Sequence, residues 1–129
     1  MKAILCIVVL MFSQSVFSAE VTNLEKTMKN MGLAYKESVQ ATDIDKFNLA
    51  IDEFIKLVKV SQLAKFNKEE KKSVQGLDKV LATAQRAKKR ANEEGLQAAK
   101  APLKSIDLLR KEYHKLHEPP GFWELLFGK

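Results

Sequence analysis

The sequence predicts an all-α protein: an antiparallel up-down-up-down four-helix bundle with a short C-terminal tail. Three observations carry this. Between Val21 and Leu116 the apolar residues recur at spacings of three and four, the helical period, with no sustained strand alternation. No Asn-Gly or Asp-Gly hairpin signal is present, and five Gly and three Pro are too few to punctuate a many-stranded β-protein. Only a few residues around Ala41, Lys65 and Asn92 are free to turn the chain, so successive helices are expected side by side and oppositely directed.

The elements follow in order. Met1-Lys2 is a short positive start, Ala3 to Phe12 carries no charge, and Ser13 to Ala19 is mostly small. This is the order of a secretory signal peptide. Cleavage after Ser18 places Val16 and Ser18 at the −3 and −1 positions, and cleavage after Ala19 places Phe17 at −3. The apolar run is too short to span a bilayer, which takes roughly 20 residues. The expected organisation is therefore a signal peptide over 1–18, a bundle over 19–118 and an aromatic tail over 119–129, in an exported, periplasmic protein. Cleavage removes Lys2 and Cys6, so 22 basic against 16 acidic residues, or +6, become 21 against 16, or +5. With its one Cys gone, the mature chain has no disulfide, no Cys-ligated zinc and no covalently attached haem.

The first helix shows the stripe Leu24, Met28, Met31, Tyr35 and Val39, with Thr22 and Asn23 as capping candidates. The second opens at Thr42-Asp43 and shows Phe47, Ile51, Phe54 and Val58. The third is entered near Asn67 to Glu70 and shows Val74, Leu77, Leu81 and Ala84. The fourth follows Gly95, with Leu96, Ala99, Leu103, Ile106, Arg110, Tyr113 and His117. Pro102 lacks an N–H, so either this helix starts near Ala101 with Pro102 in its first turn or it kinks there. A helix of this length is marginal alone, so each must bury its stripe against the others.

Lys59, Lys65, Lys68, Lys71, Lys72, Lys79, Arg86, Lys88, Lys89 and Arg90 crowd the late second and third helices. They do not interleave with aromatics, and no recognition helix, RNA-binding signature or zinc finger accompanies them, so nucleic acid is not the expected partner. A solvated face is the plain reading, with docking to an acidic protein or an anionic surface as its functional use. After Pro119-Pro120, Gly121 to Lys129 holds the only Trp and two of seven Phe. It reads as a short segment folded back on the bundle, or as a foot on a partner or membrane surface.

Three oddities lie on the seams: Met28 and Met31 on the first helix, His114 and His117 at the end of the fourth, and Arg110 where a Leu is expected. Leu103, Arg110, His114 and His117 fall within a narrow arc of the helical wheel. Antiparallel packing brings the start of the first helix and the end of the fourth to the same end of the bundle. A thioether and an imidazole facing each other there suit the two axial positions of a haem iron, and Arg110, one turn before His114, suits a propionate. On spacing alone the plainer reading stays open, with Met as core filler and His as a complement to the helix dipole.

Two stretches carry a resemblance. Asn23-Leu24-Glu25-Lys26-Thr27-Met28 is similar to the haem-ligating start of the cytochrome b562 family, and Leu109-Arg110-Lys111-Glu112-Tyr113-His114-Lys115 to its final helix. Gln75-Gly76-Leu77-Asp78 and Ala91-Asn92-Glu93 resemble its third helix and the turn that follows. The likeness covers roughly Val21 to His117. It implies a four-helix bundle with one non-covalent haem b per chain, Met28 and His114 as the iron ligands and Arg110 near the propionates. Leu24 and Tyr113 match pocket-side positions, and Met31, Phe54 and Leu77 take apolar pocket positions with changed residue types. Met31 and His117 are spare ligand candidates. This chain departs from the family in a shorter connection between the second and third helices, in Ser73 where an aromatic stands, and in Glu118 where a basic residue follows the His. The function implied is one-electron transfer in the periplasm by a monomer, with a redox protein, acidic if it uses the basic face, as partner. No acid–base constellation suggests an enzyme. The competing reading is a haem-free bundle that binds a protein or envelope surface, with Met28 and His114 as core and cap.

Overall fold

A computed structural model of the protein describes residues 24–64 and 70–114, the side chain of His114 excepted. The leader, the caps Thr22 and Asn23, the entry to the third helix, His117, Glu118 and the 119–129 tail lie outside the described residues. The described residues form four α-helices, α1 (Leu24–Gln40), α2 (Ile44–Gln62), α3 (Glu70–Glu94) and α4 (Lys100–His114), with a 3₁₀ turn over Leu96–Ala99. Among the described residues no helix is long and apolar enough to cross a membrane.

Helix α2 behaves as its sequence says. Asp43, extended at φ −134° and ψ 160°, caps it by accepting from the Lys46 N–H at 2.9 Å. Its stripe Phe47, Ile51, Phe54 and Val58 is buried. Each such side chain contributes about 1.5–3 kcal/mol on removal from water. Helix α3 differs from expectation. Val74, Leu77 and Leu81 are only half-buried, and the buried line is Ser73, Gly76, Thr83, Ala84, Ala87 and Ala91. Small residues take the line of closest helix approach, and the larger ones flank it. On α1 the buried line is Met31, Gly32, Ala34 and Ser38, and Val39 is exposed rather than part of the stripe. Ser38 satisfies its hydroxyl by donating to the Ala34 carbonyl at 2.8 Å.

Pro102 does not kink α4. It stands in the first turn, where its missing N–H is not needed, and the Leu96–Ala99 stretch becomes the 3₁₀ turn. Gly95 makes the corner with φ 101°, a value an L side chain rarely adopts.

The helix directions follow from side-chain pairs. Asn48 and Asn92 exchange amide hydrogen bonds at 2.9 and 2.8 Å, Lys88 Nζ donates to Asp52 at 2.6 Å, and Gln62 Nε2 donates to Asp78 at 2.6 Å. As α2 runs forward, its partners on α3 run backward. Helices α1 and α2 pack along each other across the short link Ala41–Asp43. Helix α4 returns along α3, so that Tyr113 near its end meets Gly76 near the start of α3. The start of α1 and the end of α4 therefore share one end of the bundle.

Candidate functional site

Helices α1 and α4 carry the candidate ligands, and among the described residues their backbones approach less closely than those of the other neighbouring pairs. Across this seam Tyr35 Oη donates to the Leu103 carbonyl at 2.9 Å. The same number of residues separates Tyr35 from Leu24 as separates His114 from Leu103, so the two termini lie near one level. Met28 is one turn inward on α1, and Arg110 one turn inward on α4.

Leu24 opens α1 and is half-buried. Met28 is half-buried and packs against the core. Met31 is buried in that core, Phe54 is buried beside Tyr35 with ring centroids 5.9 Å apart, and Leu77 flanks the same cluster from α3. His114 is the last residue of α4. Tyr113, one position earlier, lies on the α3 side of its helix. Its ring sits over Gly76, and its hydroxyl accepts from Lys79 Nζ at 3.0 Å.

Arg110 is the charged residue that the core-facing stripe did not explain. Its side chain is only 21% exposed, and its Nε and Nη2 both reach Asp107 Oδ1 at 2.9 Å. Lys111 Nζ stands 3.0 Å from the other oxygen. Burial pushes the Asp107 carboxyl up, but hydrogen bonds from Lys111 and Arg110, and the charges of both, hold it below the usual carboxylate range. Across the seam, burial and then the Asp107 charge push the Tyr35 phenol up to about 12, while Arg110 acts in the opposite sense. Tyr35, Asp107 and Arg110 thus form one electrostatic group at the α1–α4 seam.

Sequence reasoning missed Tyr35, Asp107 and Gly76 as parts of this region. The Asp107/Arg110 spacing of three on a helix is a legible pairing signal. Gly76 inside a helical run is a legible sign of close approach, though not of which side chain approaches. Tyr35 showed only as one member of an apolar stripe.

A haem is an apolar plate with two carboxylates and an iron that takes axial donors. The donor set fits it: apolar walls from Met31, Phe54 and Leu77, a thioether from Met28, an imidazole-bearing residue at position 114, and a half-buried guanidinium from Arg110. Ser73, at the family's aromatic position, is buried in α3. A family model described as cytochrome b562 matches residues 23–118. No curated protein matches the chain.

Proposed function

The chain belongs to the cytochrome b562 family, which makes it a b-type haem electron carrier, and from that premise we propose that it holds one non-covalent haem b between Met28 and His114 and works as a periplasmic one-electron shuttle. The observation that carries the ligand assignment is the shared end of the bundle at which α1 begins and α4 ends. Bound there, haem b supplies an Fe(III)/Fe(II) couple.

The protein's own residues do the rest. Met28 and His114 would together hold the iron, which would leave no open site for substrate and suits electron transfer rather than catalysis. Neutral thioether ligation favours the reduced form. Met31, Phe54 and Leu77 would keep water from the plate, and Arg110 would meet a propionate. A rigid four-helix frame limits rearrangement between the two oxidation states. Helix α3 presents Lys71, Lys79, Arg86 and Lys89 on its exposed surface. Docking of an acidic redox protein is the use proposed for that face, and the 119–129 tail is proposed as a contact to the envelope surface.

The test is titration of the purified protein with ferric haem b, followed by absorption in both oxidation states. Expected is uptake of one haem with sharp six-coordinate bands, changed in Met28→Ala and His114→Ala. Absence of uptake sinks the carrier reading, and unchanged spectra in both variants sink the ligand pair.

A further inference from the structure

The candidate site contains an anion of its own. Asp107 places one carboxylate oxygen on both the Nε and Nη2 of Arg110, at 2.9 Å each, and the other 3.0 Å from Lys111. Among the described residues, the pairs Lys46–Asp43, Lys56–Glu53, Lys88–Asp52 and Arg90–Glu94 are exposed on both sides. Here the side chains of Arg110 and Asp107 are only 21% and 29% exposed, and Tyr35 of α1 senses the charge of both. This pair is therefore part of the seam.

A guanidinium recognises a carboxylate through a fixed fork of donors. The Nε–Nη2 edge of Arg110 is the edge that Asp107 holds. A propionate that approaches Arg110 must displace Asp107 from that edge or bind beside a second negative charge in a partly water-excluded place. Resting on the reading of Arg110 as propionate partner, we propose that Asp107 is an internal competitor for the haem carboxylate: it holds Arg110 in the haem-free protein and sets haem affinity below what the apolar pocket alone provides. When haem arrives, Lys111 remains beside Asp107 to take its charge, so the exchange leaves neither carboxylate unpaired.

The experiment is a double-mutant cycle in the full chain over Asp107→Asn and Arg110→Gln, read as Kd for ferric haem b and for its dimethyl ester, which has the same plate and iron but no free carboxylates. Asp107→Asn keeps shape and removes charge. It is expected to tighten haem b about fivefold, the upper end for one partly exposed charge pair. It is expected to leave the diester unchanged, and the gain vanishes in the Arg110→Gln background. Helix content by circular dichroism accompanies each variant, and Asp107→Ser serves as a second uncharged variant where Asn lowers it. A role confined to helix stability predicts a lower melting temperature with unchanged or weaker haem binding, and that result overturns the proposal. So does a gain that persists with the diester or without Arg110. If the unaltered protein takes up neither compound, the carrier reading falls and this inference with it. Uptake that is indifferent to Asp107 overturns this inference alone.

Discussion

Replacing Gly76 by Ala sets two opposing effects against each other on α3. A Cβ built at this position lies 2.7 Å from Cγ and Cδ1 of Tyr113 and 3.0 Å from Cδ2. Ordinary carbon contacts are about 3.5–4.0 Å, so the ring must retreat by about 1 Å. Cγ is the root of the ring and not its tip, so a simple rotation does not relieve the contact. The retreat also pulls Tyr113 Oη off Lys79 Nζ, now 3.0 Å away. Overpacking of this kind costs about 1–3 kcal/mol. Against it, Ala in a helix interior is better than Gly by about 1 kcal/mol. The net expectation for Gly76→Ala is a loss of about 1 kcal/mol, and in a Tyr113→Ala background a gain of about 1 kcal/mol, a coupling of about 2 kcal/mol. Urea denaturation reads this directly: the midpoint falls by roughly 0.5–1 M in the first case and rises by a similar amount in the second. If Gly76→Ala raises the midpoint equally in both backgrounds, Tyr113 does not seat on Gly76 and the packing at the end of α4 is misassigned. Tyr113 precedes His114, so the same ring holds the final turn of α4 against α3.

Other consequences follow from single contacts. Phe54→Ala empties a fully enclosed site on α2 and is expected to cost about 3–5 kcal/mol, much of a small bundle's stability, seen as a large fall in thermal midpoint; a change within the scatter of surface variants contradicts its core position. An absorbance titration at alkaline pH should show one of the two tyrosines ionising at about 12. Because the folded value is raised, the stability that the Tyr35 proton contributes is complete below the ordinary phenol range and is lost as pH rises through about 12; Tyr35→Phe removes that step, and a Tyr35 phenol that titrates near its ordinary value contradicts its burial beside Asp107. Asp43 is held below its ordinary value, first by the Lys46 N–H, so its capping contribution is present above the usual carboxylate range and lost as pH falls through the folded value. Asp43→Ala should therefore destabilise near neutral pH, with the difference from the unaltered protein shrinking in acid; a pH-independent difference speaks against the cap.

Periodicity and capping are local properties, and the sequence shows them clearly. Asp43 and the Phe47, Ile51, Phe54, Val58 stripe defined α2 with its cap and core face, and Gly95 marked the corner before α4. The candidate ligand residues were singled out because a Met and a His on the expected apolar stripes of the first and last helices are chemical oddities among Leu and Ala.

What the sequence left open depends on which neighbour each helix face meets. Val39 continued the α1 stripe on a wheel, yet it is 52% exposed, because the contact line of α1 runs through Ala34 and Ser38. The close approach of α3 runs along Gly76, Ala84 and Ala87 rather than Leu77 and Leu81, because small side chains let the backbones meet. Arg110 looked like a charge in want of a ligand; its spacing of three from Asp107 could have been read as a pair, but only the folded chain sets Tyr35 of another helix beside both. Helices are specified by neighbours three and four residues away. The seam between α1 and α4 joins residues as far apart as Tyr35 and Leu103, whose meeting is decided by how all four helices share one core.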